Sequence, residues 1–340
     1  MERPIALRLV VLCSEQSLLL ARTALAKTSS MLGNHVGWKC GACSPNAQAR
    51  MQLSEPFRAP LFQDTIVTEP RTAVDLGRTN LTLLEAEFGL VLSKSLPPRS
   101  TPYTAADVMD AVSVVIPSIE VCASRLSGAA FQQSTPFHRL ADGGGNDSCR
   151  IGEAFDAGGV NGTMSRLDAV RVRFLVNGKA LCGVAGSNGS GADVLGHPAN
   201  ALAWLANSLI EGQTSTGASN YGGESVIGLQ AGDFVMTGAA AVLPATSLQP
   251  GDTVVAEFEG MGSVEVVITK SDLSAAGHEG ETAGEERMSN EAWRELCAQA
   301  RAPGDDGKPA KELPMIYPWS AAREAAVREV LGSAAKRAKV

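Results

Sequence analysis

Aromatic residues make up only 5% of this 340-residue chain, and no apolar run approaches the ~20 residues that a membrane-spanning helix needs. The first shortage, set beside 35 glycines, points to turn-rich β structure around small polar sites. The second excludes a helical membrane protein. There is no long Lys/Arg block, and the formal charge is negative (29 − 36 = −7), which argues against nucleic acid as the main partner. No internal repeat is evident, so a solenoid or propeller is excluded. The glycine runs 143–145 and 183–191 lack the Gly-Lys-Ser/Thr ending of a phosphate-binding loop, and neither forms G-x-G-x-x-G after a βαβ strand. They read as loops bordering a site, with a lid over a substrate as one role.

Cysteine is present, but not as a framework. The seven residues (13, 40, 43, 122, 149, 182 and 297) are odd in number and scattered, and read as reduced thiols of an intracellular protein. Cys40-Gly41-Ala42-Cys43 has no second Cys-x-x-Cys and no thioredoxin-like context, so its cysteines read as small buried fillers rather than zinc ligands. The N-terminal stretch Ile5 to Cys13 is apolar, yet Glu2 and Arg8 spoil it as a signal peptide. A cytoplasmic location is therefore expected. The last three residues, Ala338-Lys339-Val340, resemble a peroxisomal address but end in Val where the standard form has Leu, and a solvated helix end is the preferred reading.

What is present divides the chain in three: a helical lead-in over 1–32, a β-rich body over 33–270, and a polar linker with a helical extension over 271–340. Thr104 and Asp107 form a capping-box pattern, and Val108, Val112 and Val115 recur at helical spacing, predicting a helix that ends near Pro117. Beyond it, Ile119 and Val121 alternate with Glu120 and Cys122 as in a strand. Asn177-Gly178 between apolar runs predicts a hairpin with a type I′ turn. His197-Pro198 predicts a helix start, with His197 capping or packing rather than catalysing. Strands are expected over 233–237 and 253–268, the latter broken into a hairpin at Gly260-Met261-Gly262.

The chemistry concentrates in Glu85-Ala86-Glu87, two carboxylates inside an apolar run. On a strand, Glu85 and Glu87 project together while Leu84, Ala86 and Phe88 face the other way. Two such groups, partly desolvated, require a shared proton or a bound cation, and an oxygen-only pair suits Mg2+ or Mn2+. A solvated strand edge is the plainer alternative. Glu120 adds a third carboxylate on a strand-like segment. Lys39 lies among Gly37, Trp38 and Gly41, a tight, partly buried setting in which a functional role stands level with the plainer reading of a surface lysine.

Several motifs in order resemble the fumarylacetoacetate hydrolase superfamily, in its branch of 2-oxopent-4-enoate hydratases and 4-oxalocrotonate decarboxylases. They are Gly37-Trp38-Lys39-Cys40-Gly41, Ser44-Pro45 with Gln48, Leu61-Phe62-Gln63-Asp64, Glu85-Ala86-Glu87-Phe88, Pro117 to Val121 with Ser124-Arg125, and Ala141-Asp142. Val194 to Pro198 running into Ala203 to Asn207, then Gly232-Asp233, Thr237-Gly238, Pro250 to Asp252 and Gly260 to Val264 complete the series. The resemblance covers about residues 33–268. It implies an α+β, β-rich fold around one divalent metal, Mg2+ or Mn2+, held by Glu85, Glu87 and Glu120. It also implies a short 2-oxo or 2-hydroxy-dienoic acid as substrate, and a homo-oligomer.

By the same resemblance the cation acts as Lewis acid and template for an enolate. Lys39 binds the substrate carboxylate or assists proton transfer if burial lowers its pKa, and Asp142 and Asp64 are further site candidates. A hydratase would protonate the dienol and add water to the conjugated 2-oxo-enoate. Decarboxylation of a 2-oxo diacid, acylpyruvate hydrolysis and a non-catalytic role are the rival readings. Two departures from the family pattern stand out. Gly143-Gly144-Gly145 follows Ala141-Asp142 where the family reads Asn-Ala-Ser, so the Asn and Ser side chains are expected to be missing. Phe57 follows Glu55-Pro56 where an acidic residue is common.

Overall fold

Alternation along two long strands organises the molecule. The computed structural model describes residues 35–51, 53–68, 71–76, 80–124, 142–158, 162–216, 220–221, 224–225 and 228–270. The helices expected at 1–32 and within 271–340 lie outside these. The strands, in chain order, are β1 (His35–Gly41), β2 (Phe57–Phe62), β3 (Ile66–Val67), β4 (Thr72–Asp75), β5 (Asn80–Leu92), β6 (Val112–Ser124), β7 (Asn146–Ile151) and β8 (Phe155–Asp156). They continue with β9 (Arg171–Val176), β10 (Lys179–Ala180), β11 (Asn188–Ser190), β12 (Asn220–Tyr221), β13 (Glu224–Ser225), β14 (Phe234–Pro244), β15 (Thr253–Phe258) and β16 (Gly262–Thr269). Among the described residues three α-helices accompany them: α1 (Pro45–Met51), α2 (Ala105–Met109) and α3 (Pro198–Thr216).

An eight-stranded sheet runs β2-β1-β14-β5-β6-β7-β3, with β8 also on β6. A six-stranded sheet runs β10-β9-β15-β16-β4, with β11 also on β9. The pairs β1–β14, β3–β7 and β4–β16 are parallel. In β5, Leu84, Ala86, Phe88, Leu90 and Leu92 enter the main core, shared with the second sheet and α3. The opposite face carries Glu85, Glu87, Gly89 and Val91, and Val91 joins a second apolar cluster with Val114, Ile116, Phe234 and Met236. Phe88 meets Phe258 of the second sheet edge-to-face at 5.3 Å between centroids, a contact worth about 0.5–1.5 kcal/mol beyond its burial.

The helix expected to end near Pro117 is shorter than its pattern predicts. It stops at Met109, and Val112 begins β6, all thirteen residues of which are buried. A strand buried on both faces is apolar almost continuously, so Val112 and Val115 match a helical spacing by coincidence, while β-branched side chains favour the strand. Pro117 is tolerated because its missing donor faces the break between β7 and β8. Its carbonyl there accepts from the Gly152 N–H at 2.8 Å.

The capping box of α2 is present in both directions, with the Asp107 N–H donating to Thr104 Oγ1 and the Thr104 N–H donating to Asp107 Oδ2. Thr104→Ala is expected to destabilise the protein by about 1 kcal/mol in urea titration, with no change in metal binding. The type I′ hairpin forms with positive φ at Asn177 and Gly178. His197 Nδ1 accepts from the Ala199 N–H at 2.9 Å and caps α3. The second half of the 183–191 run is not an open loop: Asn188–Ser190 pair with β9. No helix among the described residues is long and apolar enough to cross a membrane.

Candidate metal centre

The register of β5 and β6 sets Glu85 directly opposite Glu120, and Glu87 opposite Ser118. Cross-strand partners share a face, so the three carboxylates converge on the face away from the main core. Lys39 reaches them from β1, across β14. Its Nζ donates to Glu120 Oε1 at 2.5 Å, and both side chains are buried. The same oxygen accepts from Asn146 Nδ2 at 2.8 Å. Glu87 Oε2 accepts from the Gly238 N–H at 2.8 Å. That N–H is aimed by a bulge in β14 where Gly238 takes φ 97°, a conformation open to glycine.

This leaves an imbalance. Fully ionised, three carboxylates and one ammonium sum to −2 (−3 + 1), with Glu87, Glu120 and Lys39 buried and Glu85 half-buried. Glu87 Oε1 and Glu120 Oε2 are buried without a hydrogen-bond partner. Burial, and after it the charge of Glu120, raises the pKa of Glu85. Burial, then Glu120 and Glu85, raises that of Glu87 well above the ordinary carboxylate range. A buried charge needs a partner, and unsatisfied carboxylate oxygens are hard-cation ligands. A divalent cation would bring that sum to zero and would give the orphaned Glu120 oxygen a contact, whereas Glu87 stands outside the group of ligand atoms that lie within 4.8 Å of one another. The residues present therefore fit the metal.

Ligand atoms of Glu85, Glu120 and Cys122 lie within 4.8 Å of one another. Cys122 was legible in the strand alternation, which put it on the face of Glu120, but a thiol is not an expected ligand of a hard ion. Asn146 is the other residue that the sequence reading passed over, and it corrects the expectation of a loop without its amide. Asn146-Asp147-Ser148 follows the three glycines, so the run reads Ala-Asp, three glycines, then Asn-Asp-Ser.

Lys39 departs from its conditional expectation. Burial lowers its pKa, but the charge of Glu120, aided by Cys122, Glu85 and Glu87, outweighs that, and the ammonium is held above its usual range. Lys39 Nζ also donates to the Gly144 carbonyl at 3.4 Å, which ties it to the glycine loop. Asp142 opens that loop and accepts from Ser124 Oγ at 2.8 Å, at the end of β6. Asp64 sits in a one-turn 3-10 segment (Gln63–Thr65) between β2 and β3, on a different element from the carboxylates. Cys40 and Cys43 are free, buried thiols.

Comparison with known proteins places this face in context. 2-Keto-4-pentenoate hydratase of Burkholderia vietnamiensis is 29% identical over 239 residues, 69% of this chain and 78% of that protein. 4-Oxalocrotonate decarboxylase of Pseudomonas putida is 30% identical over 229 residues, 67% of this chain and 75% of that protein. The structure of 4-oxalocrotonate decarboxylase from P. putida G7, complexed with magnesium and adipate, matches with a TM-score of 0.57 at 27% identity. The match covers 71% of this chain and 81% of that one. The family described as fumarylacetoacetate (FAA) hydrolase C-terminal matches residues 39–269, from the buried lysine to the end of β16. With the carboxylate face inside that span and the β-rich architecture around it, the chain belongs to the fumarylacetoacetate (FAA) hydrolase C-terminal family.

Proposed function

We propose that the protein is a magnesium-dependent hydratase, a carbon–oxygen lyase, that adds water to a short 2-hydroxy-dienoate through its 2-oxo-enoate form. The observation that carries this reading is the buried face of Glu85, Glu87 and Glu120, with two orphaned oxygens beside the Lys39 ammonium. The first two relatives named above, a 2-keto-4-pentenoate hydratase and a 4-oxalocrotonate decarboxylase, support this class of chemistry.

Glu85, Glu87 and Glu120 would hold the cation, Mg2+ or Mn2+. When bound, the cation supplies Lewis-acid stabilisation to the negative charge of the enolised 2-oxo acid. Lys39 keeps a proton at Nζ because Glu120 holds it there, and it is placed to pass that proton to a dienol carbon or to bind the substrate carboxylate. Asn146 fixes the Glu120 carboxylate from the side away from the β5 strand, so Lys39 and the ligand set keep one geometry. Asp142 steadies the glycine loop through Ser124, and Asp64 is assigned a supporting place at the site edge. Val91, Val114, Ile116 and Met236 on the same face exclude water from one side.

Proton NMR with 2-hydroxypenta-2,4-dienoate and Mg2+ tests the reaction. Appearance of 4-hydroxy-2-oxopentanoate, abolished by a chelator, is the expected result. If the dienoate only tautomerises or persists, the hydratase reading fails. Decarboxylation of a 2-oxo diacid, favoured by the decarboxylase relatives, is then the next assay.

A further inference from the structure

Phe57 stands beside the site, and its surroundings show a fitted ring. The pairing of β1 with β2 sets Lys39 opposite Ala59 and Gly41 opposite Phe57, so Phe57 shares the face of Lys39. Its ring lies 5.7 Å from Lys39 Nζ. A Cβ at Gly41 would stand 2.1 Å from the Phe57 Cζ, and one at Gly144 would stand 2.5 Å from Cε2. The ring thus occupies a notch formed by two missing side chains. One of these, Gly144, has φ +69°, and its carbonyl accepts from Lys39. Phe57 is half-buried and lies on the edge strand of the sheet, so one side of the ring is open.

We infer that Phe57 is a specificity-determining residue that makes the site prefer 2-oxo acids with a short uncharged tail over 2-oxo diacids; this rests on the reading of the site as one for 2-oxo acids. A substrate whose polar head is held at Lys39 and the carboxylates extends toward the sheet edge past the ring. A second carboxylate there would lose water against an aromatic face, and among the described residues the cation beside that ring is Lys39, whose charge Glu120 and the substrate head already take up. An apolar tail gains from the same contact. Arg50, exposed at the end of α1 and near enough to Glu85 to favour its charged form, is the competing candidate for meeting a second carboxylate.

The test is calorimetric titration of the full-length protein in Mg2+ with 2-oxopentanoate and with 2-oxoadipate. The wild type is expected to bind the monoacid about tenfold more tightly, and Phe57→Ala to bring the two within about threefold. Phe57→Leu, which keeps an apolar wall, should retain the preference. Equal binding of both acids by the wild type overturns the inference whatever the variants do, as does a preference that survives in folded Phe57→Ala. Tighter diacid binding that falls in Arg50→Ala overturns it in favour of Arg50. Binding of neither acid by protein that still binds Mg2+ removes the 2-oxo acid reading itself, and this inference with it.

Discussion

Glu120→Gln is expected to weaken Mn2+ binding by about 100-fold or more in calorimetric titration, because Glu120 is the hub of the site rather than one of three equal ligands. It faces Glu85 across the strands, takes the Lys39 ammonium on one oxygen together with Asn146, and leaves the other oxygen free. Glutamine keeps the size of the side chain, so the sheet should survive while the charge that balances a cation is lost. Glu87→Gln provides the contrast. It too should weaken the metal, yet without metal, at pH above the raised pKa of Glu87, it should stabilise the fold by about 1–2 kcal/mol in urea titration, since one uncompensated buried charge disappears while a carbonyl still accepts from Gly238. Undiminished Mn2+ binding in both variants would remove these carboxylates from the ligand set.

Lys39→Met carries the second large effect, with the signs reversed. Removing the cation strands Glu120 in a buried position beside two other carboxylates, and breaking a buried ion pair from one side costs about 3–5 kcal/mol. The metal-free variant should therefore unfold at much lower urea than the wild type. Turnover should fall by about 10²- to 10⁴-fold if Lys39 moves a proton in the reaction. Metal affinity should not fall with it, because loss of a neighbouring positive charge favours a divalent ion. Saturating Mn2+ should restore most of the lost stability. A variant as stable and as active as the wild type would make Lys39 a bystander.

Most of this architecture was legible because its signals are local. Glu85 and Glu87 alternate with apolar residues, so their common face followed from strand periodicity alone, and the hairpin at Asn177-Gly178 followed from turn chemistry. The overlong helix before Pro117 came from the same source of evidence used where it is ambiguous: a doubly buried strand has no polar face to give it a period of two. Asn146 was hidden for another reason. Three glycines separate it from Ala141-Asp142, so the motif as written in sequence does not reach it, and only the hydrogen bond to Glu120 shows that an amide stands at the site. The state of Lys39 depended on a partner 81 residues away, which no local pattern contains.

The parallel pairing of β1 with β14 has a consequence for how the protein is made. Gly37 lies beside Phe234, so the strand that carries Lys39 cannot dock until almost the whole body of the chain is available. Such distant pairing is slow, since the chain entropy of closure is spent before the contacts form. The hairpin-like β5–β6 pair can bring Glu85 and Glu120 together early, but without Lys39 the two carboxylates only repel. Under the proposed function, high-affinity binding of the ion would thus belong to the last stage of folding. It would act as a latch on the finished sheet, slowing its unfolding more than it speeds its assembly.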